Sequence, residues 1–395
     1  MKYLLIDGNN MAIRSAFANE GLRNSDDLPT SVHYGVFQSL INLKGRYPEH
    51  RMLIAWDGKS RRRMQESKEG VAKGLIPSAY KENRQKDETP QPLKDFYDQA
   101  PYLQKAIFQL GIAQVRYPDF EADDVIASYA RSLAKEGNEV TIVTSDKDYW
   151  QLLDDNTVLW DGMKLQKITK KDWQLEHGLD PIQAIDIGAL TGDTGDNIFG
   201  IPGWGPKTAE KELKQYGNWT GVYKALHEKY DKLRVKYPDF TSCLYEHPDF
   251  PNDPEINTVE QISEKITEIR KILHVKTEKG RSVYPDVDVS FPWAGVLVAF
   301  HKKEIKMPKS AIMALVFEDR IALAYSLKKM DDDMEGLPEI PEFEVNLDKV
   351  KEYFEYFDIY SLHDGIEIFD PNYEKEIPDN SLTEYDGLPV MEGIC

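Results

Sequence analysis

The chain has 395 residues and a formal net charge of −19. That length allows two or three domains with a sizeable core, and the acidity excludes a surface uniformly basic for nucleic acid while leaving room for local basic stripes. Its two cysteines, Cys243 and Cys395, lie far apart without a metal-binding spacing and read as reduced thiols of a cytoplasmic protein. No apolar run is long enough for a membrane span, and a first strand starting at residue 2 leaves no room for a signal peptide.

Residues 1–57 read as strand, helix, strand, with Thr30 or Ser31 capping the helix. Both strands end in aspartate, at Asp7 and Asp57. Residues 58–100 change character. Ten basic and five acidic residues lie between Lys59 and Lys94, broken by Gly70, Gly74 and Pro77. A long basic excursion straight after a strand-end aspartate suggests a cover over a site, partly non-helical. A helix follows at 102–110, a short strand at 113–116, and an amphipathic helix at 122–136 that opens on Glu121-Ala122-Asp123-Asp124. The strand at 140–144 runs into Asp146 and Asp148, and another lies at 158–160. Alternating strands and helices predict an α/β fold with a mainly parallel sheet covered on both faces. From 181 to about 273 the pattern is helical, interrupted at 238–254 by a loop rich in Pro, Asp and Phe. Beyond 291 come three apolar β-like runs, 294–300, 311–317 and 321–327, the last two joined as a hairpin through Glu318-Asp319-Arg320. A helix near 347–357 and an acidic tail complete the chain, its last 20–25 residues expected to be poorly ordered.

Open parallel sheets carry their sites at the carboxyl ends of the strands. Three strand ends here carry aspartates, and the clusters Glu121/Asp123/Asp124 and Asp193/Asp196 add more acid. Gathered carboxylates repel unless cations sit among them. A nest without His or Cys reads as a hard-cation site for Mg²⁺ or Mn²⁺, and such sites handle phosphate esters. Helix capping accounts for one of Asp123 and Asp124, but not for both together with Glu121. A second signal is the glycine-rich turn Gly200, Gly203, Gly205, followed by Lys207 and Thr208. Its open amides and the helix N-terminus behind them suit a phosphate, although an ordinary helix-connecting turn has the same look. The third is basic. Arg61, Arg62 and Arg63 are either a solvated face or a nucleic-acid contact. Lys81 and Arg84, three apart, share a face if helical, and Tyr80 beside them has a ring that can stack on a base.

At this point the chain resembles the 5′-nuclease family, which includes flap endonucleases, phage 5′→3′ exonucleases and the 5′-nuclease domain fused to bacterial DNA polymerases. Six motifs carry the resemblance, in order: Leu5-Ile6-Asp7-Gly8-Asn9-Asn10, Ala55-Trp56-Asp57-Gly58, Tyr80-Lys81-Glu82-Asn83-Arg84, Glu121-Ala122-Asp123-Asp124, Thr144-Ser145-Asp146-Lys147-Asp148, and Gly192-Asp193-Thr194-Gly195-Asp196-Asn197 with the glycine turn. It covers about residues 1–290, and nothing from 291 onward matches.

The resemblance implies a PIN-like core over 1–180 with an arch at 58–100. It implies a helical DNA-binding region over 181–290 with a helix–two-turn–helix at 182–216, then a C-terminal α+β extension (291–370) and a disordered acidic tail (371–395). Two Mg²⁺ or Mn²⁺ ions are implied, one held by Asp7, Asp57, Glu121, Asp123 and Asp124, a looser one by Asp146, Asp148, Asp193 and Asp196. Lys81 and Arg84 would stabilise the scissile phosphate and Tyr80 would position the nucleotide. The turn with Lys207 and Thr208 would grip duplex backbone, with a K⁺, and Arg61–Arg63 would add DNA contacts. The expected protein is a monomeric, stand-alone nuclease of a phage or bacterium, acting in replication or repair. It would cut DNA at a 5′ end or flap, RNA–DNA hybrid included, and its extension would meet replication proteins. A non-catalytic DNA-binding scaffold and a PIN-like ribonuclease are the alternatives.

Overall fold

The computed structural model describes residues 1–85, 89–201, 203–236, 275–276, 282–283 and 317–373. Its centre is a six-stranded sheet in the order β3-β2-β1-β4-β5-β6. Strands β1 (Lys2–Asp7), β2 (Arg51–Trp56), β3 (Ala113–Arg116), β4 (Glu139–Val143) and β5 (Thr157–Asp161) are parallel, and β6 (Gln166–Ile168) closes one edge antiparallel. The central strands are unbroken apolar runs because both faces are buried. Leu5, Leu53 and Ile142 face one core with helices α5 (Ala122–Lys135), α7 (Ala184–Thr191), α8 (Pro206–Tyr216) and α9 (Trp219–Lys236). Leu4, Ile6 and Ile54 face the other, with α1 (Gly8–Ala18), α2 (Ser31–Arg46) and α4 (Gln91–Gln109). Two further helices complete the set up to residue 236, α3 (Arg61–Ala72) and α6 (Lys170–His177). The chain winds outward from β1 through β2 to β3, then returns to β4 and winds the other way. That reversal opens a crevice beyond the carboxyl ends of β1 and β4.

The excursion at 58–100 is shorter than its composition suggests. Helix α3 occupies its first part, a 3₁₀ turn spans Glu82–Gln85, and α4 has begun by Gln91 as a core helix. Lys81 has φ 55° and stands outside the turn, so Lys81 and Arg84 do not share a helix face.

Residues 321–327, expected as a strand, form α10 (Glu318–Lys328), and the Glu318-Asp319-Arg320 hairpin does not exist. A short apolar run fits a buried strand or a buried helix equally well. Here Ile321, Ala324 and Leu327 are buried at helical spacing. Glu318 and Asp319 sit in the first turn and Lys328 in the last, the arrangement that the helix dipole favours. The segment after α10 is built into the core rather than appended to it. It runs down α5, where Tyr129 donates to Pro338 O (3.0 Å), and passes the amino ends of the strands, where Arg51 donates to Ile340 O (3.1 Å). It continues through α11 (Leu347–Tyr356), whose Val350 and Phe354 join the opposite core, and two 3₁₀ turns that add Leu362, Ile366 and Phe369 to it. The expected runs at 294–300 and 311–316, the loop at 238–254 and the tail from 374 lie outside the described residues.

Candidate metal centre and nucleic-acid interface

The strand ends deliver their carboxylates to the crevice. Asp7 is buried; its Oδ1 accepts the Asn10 amide (2.9 Å) and its Oδ2 the Tyr149 hydroxyl (3.1 Å). Asp57 accepts the Ala122 amide at 2.9 Å, which ties β2 to the start of α5. Asp146 ends the β4 loop and caps the next turn through the Asp148 amide, 2.9 Å. Among the described residues none of these three carboxylates has a Lys or Arg partner. Lost hydration, with neighbouring negative charge adding to it, raises the pKa of all three. Burial, then the Asp57 charge, pushes Asp7 up to about 8; lost hydration in the crevice, with Asp123 and Glu121 adding and Lys81 opposing, pushes Asp57 up to about 6 although its side chain still reaches solvent. Asp146 is raised as well, by desolvation and by Asp123 and Asp196.

An all-oxygen donor set short of positive charge fits a hard divalent cation. With the metal chelated, the raised carboxylates hold protons that the unfolded chain releases near pH 4. Their contribution to stability is therefore full below about pH 4 and is lost as pH rises, by about pH 6 for Asp57 and by about pH 8 for Asp7. The melting temperature in EDTA is expected to fall between about pH 5 and 8, and Mg²⁺ at the upper end should restore it; a flat profile across that window would contradict the raised pKa of Asp7.

The rest of the acidic set is already paired. Arg63 is buried, with Nη2 2.7 Å from Asp124 Oδ1, and Nη1 3.0 Å from Asp124 Oδ2, 2.9 Å from Glu121 Oε2 and 3.3 Å from Asp123 Oδ1. Asp124 also accepts the amides of Glu121 (3.3 Å) and Asp331 (2.9 Å) and is fully buried. Its oxygens are taken by the Arg63 guanidinium and by two backbone amides. Asp148 and Asp193 are bridged by Lys328 at the end of α10, with Nζ 2.7 Å from both Asp148 oxygens and from Asp193 Oδ2. Burial and the other charges press Asp148 up to about 6 despite the lysine; burial also presses on Asp193, but there the lysine prevails and holds it below the usual carboxylate value. One oxygen each of Asp148, Asp193 and Asp196 lie within 4.8 Å of one another.

The basic residues of the excursion lie on this acid. Lys81 Nζ is 2.9 Å from Glu121 Oε1, and Arg84 Nη2 is 2.5 Å from Asp196 Oδ1. The loop after α7 holds them there. Lys81 N–H donates to Asp196 O (2.9 Å), Asn83 to Thr194 O (2.8 Å), and Asn197 to Ala79 O (2.6 Å). The third and sixth sequence motifs are thus one interface. Tyr80 is buried with its hydroxyl 3.0 Å from Glu121 Oε2, so its ring is closed to a base in this arrangement. The three arginines divide. Arg61 is exposed, Arg62 pairs with Asp331 (2.7 Å) and donates to Ser326 O and Lys329 O, and Arg63 is internal. Of the three, Arg61 is the exposed one and Arg62 is partly covered.

The glycine turn is held by buried Ile198, Ile201 and Trp204. Gly200 is a packing glycine, since a Cβ there would lie 2.3 Å from Gly192 N. Gly203 (φ 82°) and Gly205 face open space, and Gly205 caps α8, whose first turn carries exposed Lys207 and half-buried Thr208. Sequence reasoning missed Lys328 and Tyr149.

Two family profiles match, described as "5'-3' exonuclease, N-terminal resolvase-like domain" over residues 2–178 and "5'-3' exonuclease, C-terminal SAM fold" over 179–244. The 5'-3' exonuclease of Aquifex aeolicus is 31% identical over 234 residues, covering 59% of this chain and 75% of that protein. The chain belongs to the 5′-3′ exonuclease family. DNA polymerase I of Bacillus subtilis is 35% identical over 246 residues, 60% of this chain and 26% of that protein. The thermostable DNA polymerase I of Thermus thermophilus is 29% identical over 290 residues, 73% of this chain and 31% of that protein. The chain therefore spans a quarter to a third of the length of these two polymerases. The catalytic core of Rad2, solved in complex with a DNA substrate, shares the fold at a TM-score of 0.51 and 14% identity, covering 93% of this chain and 91% of that one. Among the described residues no helix is long and apolar enough to cross a membrane.

Proposed function

We propose that this protein is a divalent-metal-dependent, structure-specific 5′ nuclease that hydrolyses DNA phosphodiesters to 5′-phosphate and 3′-hydroxyl ends. The observation that carries this reading is the acid gathered at the strand ends: the charges of Asp57 and Asp146 act on buried Asp7, while Asp148, Asp193 and Asp196 bring one oxygen each within 4.8 Å of one another, and Lys81 and Arg84 lie on Glu121 and Asp196 beside them. Family membership agrees with it. Asp7, Asp57, Asp123 and Asp146 would hold Mg²⁺ or Mn²⁺, which when bound supplies charge stabilisation and an activated water.

The chain's own residues do the rest. Tyr149 and the Asn10 amide fix the orientation of Asp7. Lys81 and Arg84 rest on Glu121 and Asp196 without DNA, and a scissile phosphate would draw them off to stabilise its developing charge. The turn at Gly203 and Gly205, with Lys207, Thr208 and a K⁺, would hold duplex backbone without reading sequence. Arg61 would contribute a screened, salt-sensitive contact. Roles in replication or repair, action on RNA–DNA hybrids, a monomeric state and replication partners belong to the same proposal.

The test is a substrate panel of 5′-flap, 3′-flap and blunt DNA duplexes beside an RNA hairpin, with Mg²⁺. Removal of the 5′ flap and release of nucleotides from duplex 5′ ends, leaving 3′-hydroxyl ends and the 3′ flap and RNA hairpin uncut, is expected. Preferential cutting of the hairpin would replace this reading with a ribonuclease, and tight binding without cutting would replace it with a scaffold.

A further inference from the structure

Lys328 comes from a segment that no part of the proposed chemistry requires, yet its ammonium sits among the carboxylates. All three of its hydrogen bonds are made there, at 2.7 Å each, to the two oxygens of Asp148 and to Asp193 Oδ2. The side chain is 5% exposed. Its path is shaped for it. Gly188 on α7 leaves room, and a Cβ at that position would lie 2.9 Å from Lys328 Cε.

The backbone around it is fixed on every side. Arg62 donates to Ser326 O and Lys329 O, Arg63 Nε to Leu327 O (3.0 Å), and Gln151 Nε2 to Lys328 O (3.1 Å). Gln151 Oε1 accepts the Met330 amide and Asp124 the Asp331 amide. Phe317, Ile321, Ala324, Leu327 and Met330 are all buried in the core. A helix end held this way is a permanent part of the fold rather than a detachable plug. The neighbouring Asp196 is likewise taken, by Arg84.

We propose that Lys328 is a resident cation of the Asp148–Asp193 pair. It supplies there the positive charge that a second divalent ion would otherwise bring, so the protein without DNA binds one divalent ion, at the Asp7/Asp57/Asp123/Asp146 end. The proposal deepens the metal-nuclease reading and rests on it for the identity of that one site. It assigns Lys328 as a positioning residue: a fixed ammonium keeps Asp148 and Asp193 together without hydration and exchange, and a dication could enter only by displacing a buried, triply bonded group.

The test counts ions rather than turnover. Free Mn²⁺ measured by electron paramagnetic resonance during titration should show one tight ion per wild-type chain. Lys328→Met, whose uncharged side chain is close in length, should bind two, and Lys328→Arg should remain at one. Asp148→Asn in the wild-type background should leave the single tight ion in place, whereas Asp7→Asn should weaken it at least tenfold. Two tight ions on the wild-type chain would overturn the proposal, and that result needs no variant to fold. An unchanged count in a folded Lys328→Met protein would overturn it too. The ion count stands whether or not the protein cuts DNA, so a failed nuclease assay and a failed Lys328 assignment are separate outcomes.

Discussion

Arg63→Ala is expected to destabilise the metal-free protein by about 3–5 kcal/mol, the usual cost of removing one partner from a buried ion pair. Arg63 is 1% exposed and is the cation shared by Glu121, Asp123 and Asp124. Without it, a fully buried Asp124 and a largely buried Glu121 keep their desolvation penalty and lose the charge that offsets it. The guanidinium also bonds Leu327 O, so the variant loosens the docking of α10 as well. Arg63→Lys should recover only part of the loss, because a point charge cannot reproduce two forked bonds to Asp124. Exposed Arg61→Ala should stay within about 0.5 kcal/mol of wild type. Urea unfolding in EDTA, with no DNA present, measures all three. If Arg63→Ala and Arg61→Ala gave equal stabilities, Arg63 would be a surface DNA contact after all.

Asp146→Asn is expected to lower single-turnover cleavage of a 5′-flap substrate by at least about 10²-fold, in line with what metal sites lose when a supporting group alone is removed. The choice of asparagine matters. Asp146 caps the following turn through the Asp148 amide, and asparagine is as good a cap, so the fold is retained while the charge is removed. Binding of the flap duplex, carried by phosphate contacts elsewhere, should change less than threefold by the same reasoning. Equal losses of binding and cleavage would mean that Asp146 grips DNA rather than serving the metal.

The sheet and its acidic crevice were legible because their signals are local. A buried parallel strand is a short apolar run, and the aspartate that ends it is adjacent in sequence, as at Leu5-Ile6-Asp7 and Ala55-Trp56-Asp57. The six motifs carried the family in the same way. What escaped was set by distant partners. Three consecutive arginines look alike in sequence, but successive helix positions turn by about 100°. Arg61 therefore faces solvent, Arg62 lies against Asp331, and Arg63 points into the core. Lys328 reaches partners 135 and 180 positions away, and nothing beside it in the chain marks a lysine bound for a carboxylate pair. Strand β6 has only three residues, two of them exposed, and offers no pattern to read. The apolar run at 321–327 fits a strand as well as a helix because it is too short for its period to be unambiguous.

The most direct test of the account is cleavage of a 5′-labelled flap duplex by the wild-type chain, first with Mg²⁺ and then with EDTA at the same salt. The account predicts a cut near the junction with Mg²⁺ and none with EDTA, with the duplex still bound. Cleavage that persisted at full rate in EDTA would contradict the claim that the carboxylates of the crevice work through a divalent ion.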